Sequence, residues 1–235
     1  MALIRLDKFL CGAASVTRSE AKKLLAGGFV TVEGNICRAG DMKISEDAAV
    51  TLRGAPLRRE QYVYLMLNKP KGVVSASRDA RDKTVADFAK AEFPRRTLFP
   101  AGRLDKDSEG FILLTDDGAF AHDILSPRRH VSKTYLVEVD APLTEEMQAG
   151  FAQGVTLADG QGMLPAQLLP LGPYLAQVVL SQGVYHQIKR MFGVYGAGVV
   201  SLKRTAIGGV LLDEGLAPGA YRRLTQKELE SLRGK

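Results

Sequence analysis

Ala101-Gly102-Arg103-Leu104-Asp105-Lys106-Asp107-Ser108-Glu109-Gly110-Phe111-Ile112-Leu113-Leu114-Thr115 passes from a polar, glycine-flanked segment straight into an apolar run. Phe111 to Thr115 has the length and composition of a buried strand. Arg103 and Asp105 are two residues apart, so an extended chain turns both to one side. A cation beside a carboxylate keeps the acid ionised and aimed, as a nucleophilic or proton-abstracting aspartate requires. A turn stapled by an ion pair has the same spacing and is the plainer reading. Asp105, Asp107, Glu109 and Gly110 also fall on positions 1, 3, 5 and 6 of a calcium-loop template, with Asp116 at position 12. That template sits between two helices and favours a bidentate Glu at its end. Here Pro100 and Gly102 precede it and the apolar run lies inside it, so no metal is expected.

Working outward, further strands are expected over 62–67, 134–139, 175–180 and 199–203. Helices are expected over 119–125, stopped by Pro127, over 145–152 after Thr144, over 184–195, and over 227–232 after a Thr225-x-x-Glu228 capping box. Strands at irregular spacing with few intervening helices predict a mixed α+β sheet, not a doubly wound one.

The N-terminal part reads as helix, helix, hairpin. Leu3, Leu6, Phe9 and Leu10 recur at helical spacing, and Thr17-Arg18-Ser19-Glu20 is a capping box opening a second helix that Gly27-Gly28 stops. Residues 29–32 then meet the turn Glu33-Gly34-Asn35 and return through Ile36-Cys37-Arg38. The polar stretch from Arg53 to Glu60 shows no apolar period and reads as a linker, which divides the chain into 1–58 and 59–235.

Composition narrows the class. The 235 residues are 46% hydrophobic and 25% charged, ordinary for a globular protein, with a net charge of +6 and a pI near 9.3 that suit a polyanionic partner. Residues 1–60 carry ten Lys and Arg against seven Asp and Glu, and the rest 22 against 19, so the excess is spread over both parts. Cys11 and Cys37 stand apart, with no C-x-x-C and no histidine pair, and read as buried reduced thiols of a cytoplasmic protein. Arg5, Asp7 and Lys8 interrupt what would be an apolar leader, and no membrane association is expected. There is no P-loop and no G-x-G-x-x-G, and no cofactor is expected.

Three pieces of the N-terminal part, Arg5-Leu6-Asp7-Lys8, Thr17-Arg18-Ser19-Glu20-Ala21 and Val30-Thr31-Val32-Glu33-Gly34, resemble in order the S4 RNA-binding domain. That resemblance implies that Arg18, Lys22 and Lys23, together with Arg5 and Arg38, face structured RNA through its phosphates.

Four later pieces resemble the pseudouridine synthases, in particular their RsuA branch. They are Asn68-Lys69-Pro70-Lys71-Gly72, the Ala101 to Gly110 segment, Lys133-Thr134-Tyr135, and Tyr185-His186-Gln187-Ile188-Lys189-Arg190-Met191. The resemblance extends over essentially the whole chain. It implies an α+β fold, with a small S4 (α-L) domain followed by a mixed, mainly antiparallel-sheet catalytic domain. It further implies a cofactor-free isomerisation in which a flipped uridine loses its N-glycosidic bond and re-forms a bond through C5 of the uracil. Asp105 would be the essential carboxylate, either attacking the sugar or removing a sugar proton. Tyr135 would stack on the uracil and relay the C5 proton, Lys189 would pair with Asp105, and Arg103 would orient the loop or hold the nucleotide. His186 and Arg190 would contact RNA. The implied substrate is a uridine of 16S rRNA, of the uridine 516 class, in a partly assembled small subunit, acted on by a monomer. The alternatives are a 23S rRNA synthase, a non-catalytic S4-type RNA-binding protein, or a metal-independent hydrolase using Asp105 with His186 as base.

Overall fold

The computed structural model describes residues 3–14, 16–58, 60–126, 129 and 131–234. By its internal contacts the chain divides into two units, Met1–Tyr62 and Val63–Lys235.

The first unit runs β1 (Leu3–Arg5), α1 (Leu6–Ala13), α2 (Arg18–Ala26), β2 (Val30–Val32), β3 (Asn35–Ile36), β4 (Lys43–Ser45), β5 (Val50–Leu52) and β6 (Ala55–Leu57). Leu3, placed in the first helix by its spacing, belongs instead to β1, which pairs antiparallel with β4. The amides of Leu6 and Asp7 donate to the carbonyls of Met42 and Gly40, and this outside partnership fixes the helix start at Leu6. The capping box forms as the sequence predicts, with Thr17 Oγ1 accepting from Glu20 N. So does the β2–β3 hairpin, whose turn residues Glu33 and Gly34 both take positive φ.

The stretch from Arg53, read as linker, is a second hairpin joining β5 to β6, turned at Arg53 (φ 52°) and Gly54 (φ 82°). Three-residue strands leave no period to detect, and Pro56 is tolerated because β6 is an edge strand. Phe9, Leu10 and Leu25 pack with Val30 and Val50 as the core of this unit. Cys11 and Cys37 are free thiols at its margin, half-buried rather than buried as expected.

The second unit runs β7 (Tyr64–Lys69), a 3₁₀ turn (Val85–Phe88), β8 (Phe99–Pro100), β9 (Glu109–Thr115), α3 (Gly118–Leu125), β10 (Lys133–Val139), α4 (Glu145–Gln153), β11 (Gln167–Pro170), β12 (Leu175–Leu180), α5 (Gln187–Gly193), β13 (Val199–Ile207), β14 (Val210–Leu211), β15 (Tyr221–Arg223) and α6 (Gln226–Arg233). Among the described residues, seven strands form one sheet in the order β11-β12-β10-β13-β9-β7-β15, with β14 on β13 and β8 on β9. Every pairing is antiparallel except β13 with β9. The fold is therefore mixed and mainly antiparallel.

β9 is buried on both faces. Phe111 and Leu113 join one core with Met66 and Phe120, while Ile112 and Leu114 join another with Leu65 and Leu67, which explains its unbroken apolar run. Toward the other end of the sheet, Val137 and Val178 pack with Phe151 of α4 and with Met191 and Phe192 of α5. The helix expected over 184–195 is shorter, because His186 takes a left-handed conformation (φ 50°, ψ 30°) just before it starts. Pro127, read as the stop of the third helix, lies outside the described residues. Among the described residues no helix is long and apolar enough to cross a membrane.

The parallel pairing of β13 with β9 joins Lys203 and Arg204 to Glu109 and Gly110. Gly110 has φ 103°, and a Cβ there would lie 2.2 Å from the Arg204 carbonyl oxygen. Only glycine lets the two backbones approach this closely. Gly110→Ala is expected to destabilise the second unit by about 2–3 kcal/mol, read as a lower denaturant midpoint at unchanged slope.

Candidate active site

Asp105 lies in the loop that leads from β8 into β9. Side chains from three other segments hold that loop by its carbonyl groups. Ser75 Oγ donates to the Leu104 carbonyl (2.7 Å) and accepts from the Leu104 amide (2.9 Å). Lys69, the last residue of β7 and fully buried, donates from Nζ to the carbonyls of Ser108 (2.6 Å), Asp105 (2.9 Å) and Pro70 (3.1 Å). Arg204, 2% exposed on β13, donates from Nε to the Phe111 carbonyl (2.7 Å) and reaches the Arg103 carbonyl at 3.5 Å. Its Nη2 has no hydrogen-bond partner among the described residues. The Asp105–Ser108 turn closes with its own backbone bond of 3.1 Å. The backbone around the carboxylate is thereby fixed by buried donors from β7, β13 and the segment after β7, a rigid support for a functional side chain.

The Asp105 side chain is 24% exposed and faces α5. His186 Nε2 lies 3.5 Å from its Oδ1, and Lys189 Nζ lies 3.4 Å from its Oδ2. Lys189 also donates to both carboxylate oxygens of Asp107, at 2.7 and 2.8 Å. Burial works against the Lys189 charge, yet the hydrogen bond to Asp107 and the field of the two carboxylates outweigh it and hold its pKa above the ordinary lysine value. The Lys189 hydrogen bond in turn lowers the pKa of Asp107. Asp105 and Asp107, two of the carboxylates that matched a calcium template, thus share a cation supplied by the protein itself.

Burial pushes the Lys69 ammonium down to about 8, with Asp107, Asp105 and Glu109 partly restoring it and Arg204 lowering it further. This value sets two opposite pH dependences. Between about pH 8 and 10.5 the unfolded chain keeps the proton that the folded one has lost, so this group makes stability rise with pH in that window. Over the same window the loop loses its charged donor, and turnover is expected to fall. Melting temperature and rate measured side by side from pH 7 to 10 check the two signs.

Tyr135, 7% exposed on β10, packs in one core with Leu104 and Ile188, the residues that precede Asp105 and Lys189 in sequence. A register shift between Thr134 and Tyr135 sets Tyr135 opposite Arg204. Such irregularities re-aim side chains. Lys133, which opens the strand, is buried and donates to the carbonyls of Val131 (2.9 Å) and Ser181 (3.3 Å).

Asp105, His186 and Lys189 therefore come together, and Tyr135 belongs to the core cluster that includes their sequence neighbours Leu104 and Ile188. Arg103 does not join them. It is exposed, and among the described residues it forms no ion pair with Asp105, whose neighbouring cation is Lys189 of α5 instead. Arg190 turns away to an ion pair with Asp159 at 2.5 Å. In the first unit Arg18, Lys22 and Lys23 are exposed on α2. Arg5 instead binds Asp7 bidentately (2.8 and 3.1 Å), and Arg38 donates to the Ala26 carbonyl at the end of α2 (2.6 Å).

Lys69 and Arg204 are the residues that sequence reasoning passed over. Lys69 was legible only as a member of the Asn68-Lys69-Pro70-Lys71-Gly72 piece, with no role of its own, and Arg204 fell outside a strand expected to end at 203. The signal for Arg204 was its place two residues from Leu202 and from Ala206, both buried on β13.

Comparison with known proteins places these residues in context. Residues 63–193 match the family described as RNA pseudouridylate synthase. The chain is 42% identical over 231 residues to ribosomal small subunit pseudouridine synthase A of Salmonella typhimurium, covering 97% of this chain and 100% of that protein. It is 41% identical over 234 residues to an uncharacterised RNA pseudouridine synthase of Bacillus subtilis, covering 97% and 98%. A crystal structure of a pseudouridylate synthase superposes with a TM-score of 0.70 at 40% identity, over 97% of this chain and 99% of that one.

Proposed function

Since the chain belongs to the RNA pseudouridylate synthase family, we propose that it isomerises a uridine of 16S rRNA to pseudouridine, with Asp105 as its essential carboxylate. The observation that carries the reading is the Asp105 carboxylate, held on a loop pinned by buried Lys69, Ser75 and Arg204 and faced by His186 and Lys189.

A stacked uridine is out of reach of any side chain, so it leaves the RNA stack to enter this site. The Asp105 carboxylate then either attacks the sugar or removes a sugar proton. The N1–C1′ bond breaks, the uracil turns, a C5–C1′ bond forms, and the hydrogen on C5 leaves as a proton while N1 gains one. No redox equivalent is consumed. Tyr135 stacks on the uracil and relays the C5 proton, and Lys189 pairs with the carboxylate. Arg103, exposed on the same loop, is proposed to orient the loop or hold the nucleotide and His186 to contact the RNA, while Arg190 would have to leave its ion pair with Asp159 to do so. The proposed substrate is the 16S rRNA of a partly assembled small subunit in the cytoplasm, bound by a monomer without cofactor. The small-subunit assignment is supported by the similarity to small subunit synthases.

The N-terminal unit is proposed to be an S4-type RNA-binding domain, ending near residue 58, that adds phosphate contacts through α2. Replacing Arg18, Lys22 and Lys23 together by Gln is then expected to reduce the slope of log affinity against log salt by about 2 to 3, with little change in kcat.

The reaction releases the hydrogen of C5, so tritium release from rRNA labelled at uracil C5 tests the function. Release from 16S rRNA and not from 23S rRNA is expected. Release from 23S alone would move the target, an abasic product would mark a hydrolase, and unchanged RNA would leave only a binding protein.

A further inference from the structure

Tyr185 is the most exposed large hydrophobic or aromatic side chain among the described residues, at 75%. Its ring stacks on the imidazole of His186 with centroids 3.8 Å apart and an angle of 19° between the planes. The Nε2 of that imidazole is the atom 3.5 Å from Asp105 Oδ1. An unbroken series therefore leads outward from the carboxylate, through the His186 ring, to the Tyr185 ring and solvent. His186 is also held in the left-handed region at φ 50°, an unfavourable conformation for a residue with a Cβ. Strain of this kind collects where a geometry is used.

We propose that Tyr185 and His186 form a stacking subsite for the RNA base next to the uridine that enters the Asp105 site. Removing a base from a strand bares one face of each neighbour. The Tyr185 ring is separated from the carboxylate by one imidazole, within the reach of an adjacent nucleotide. Its outer face is open, and His186 covers the inner face and fixes the ring plane in advance. A flat aromatic surface stacks any base because every base has a π face, so this subsite contributes affinity and orientation without reading base identity. The platform rests on the pseudouridine synthase reading of the site, and nothing in the reaction at Asp105 requires it.

Steady-state pseudouridine formation tests it with wild type, Tyr185→Ala and Tyr185→Phe. The substrates are 16S rRNA and a short RNA spanning the modified uridine with the base of either neighbour removed. Tyr185→Ala is expected to raise KM about tenfold with kcat within about twofold of wild type, and Tyr185→Phe to behave as wild type. Removing one neighbouring base should raise KM for wild type by a similar factor and have no further effect in Tyr185→Ala, because both changes delete the same contact. An unchanged KM in Tyr185→Ala, or additive losses at both neighbours, overturns the stacking subsite alone. Absence of pseudouridine with wild type on either subunit's RNA overturns the functional reading and the subsite with it.

Discussion

Replacing Asp105 by asparagine is expected to remove pseudouridine formation by at least about 1000-fold, roughly 4 kcal/mol of transition-state stabilisation, while leaving the fold intact. The amide has the shape of the carboxylate but is neither a nucleophile nor a base at neutral pH. The carboxylate oxygens are not what holds the loop in place. The nearest side-chain nitrogens, of His186 and Lys189, lie at 3.5 and 3.4 Å, longer than good charge-assisted hydrogen bonds, whereas the loop is pinned through its backbone. The melting temperature should therefore change by less than about 2 °C, and the affinity for RNA by less than about threefold, with rate, calorimetry and binding measured on the same preparation. A large drop in melting temperature would make Asp105 a structural residue.

Lys69→Met is expected to damage both stability and rate. Methionine keeps the length and bulk of the side chain and removes its donors, leaving the carbonyls of Asp105, Ser108 and Pro70 without the Nζ contact. Unsatisfied buried carbonyls cost about 1–3 kcal/mol each, and relief of the lysine's own burial offsets part of this, for a net loss of about 3–4 kcal/mol. For the second unit that corresponds to a fall in melting temperature of roughly 6–16 °C. Because the Asp105 backbone loses its anchor, kcat is expected to fall about 100-fold even where the protein is fully folded, with KM much less affected. Lys69 is a positioning residue, and the split between kcat and KM at low temperature separates that role from a purely structural one.

The elements whose burial follows a regular pattern were the ones legible in the sequence. Phe111 to Thr115 reads as a strand because both its faces are covered, and 175–180 reads as one because its burial alternates along its length. The short edge pieces β8, β11, β14 and β15 carry too few residues to show a period, and the β5–β6 hairpin was mistaken for a linker for the same reason. In the site, Asp105, His186 and Lys189 were legible because motif order and helical spacing carry them. The cage around them was not, since Lys69 and Arg204 act on backbone carbonyls brought close only by folding. Lys69 meets the Ser108 carbonyl across 39 residues and Arg204 meets that of Phe111 across 93. The two-residue spacing of Arg103 and Asp105 was no guide to an ion pair, since among the described residues the cation beside Asp105 is Lys189, brought in from 84 residues away by the fold.

Mapping pseudouridine at single-nucleotide resolution is the most direct test, using carbodiimide labelling and primer extension on 16S rRNA, free and in partly assembled small subunits, after incubation with wild type or Asp105→Asn. One new stop at a uridine with wild type and none with the variant is the predicted result. No stop with wild type, or a stop that persists with Asp105→Asn, would contradict the assignment of this reaction to the Asp105 site.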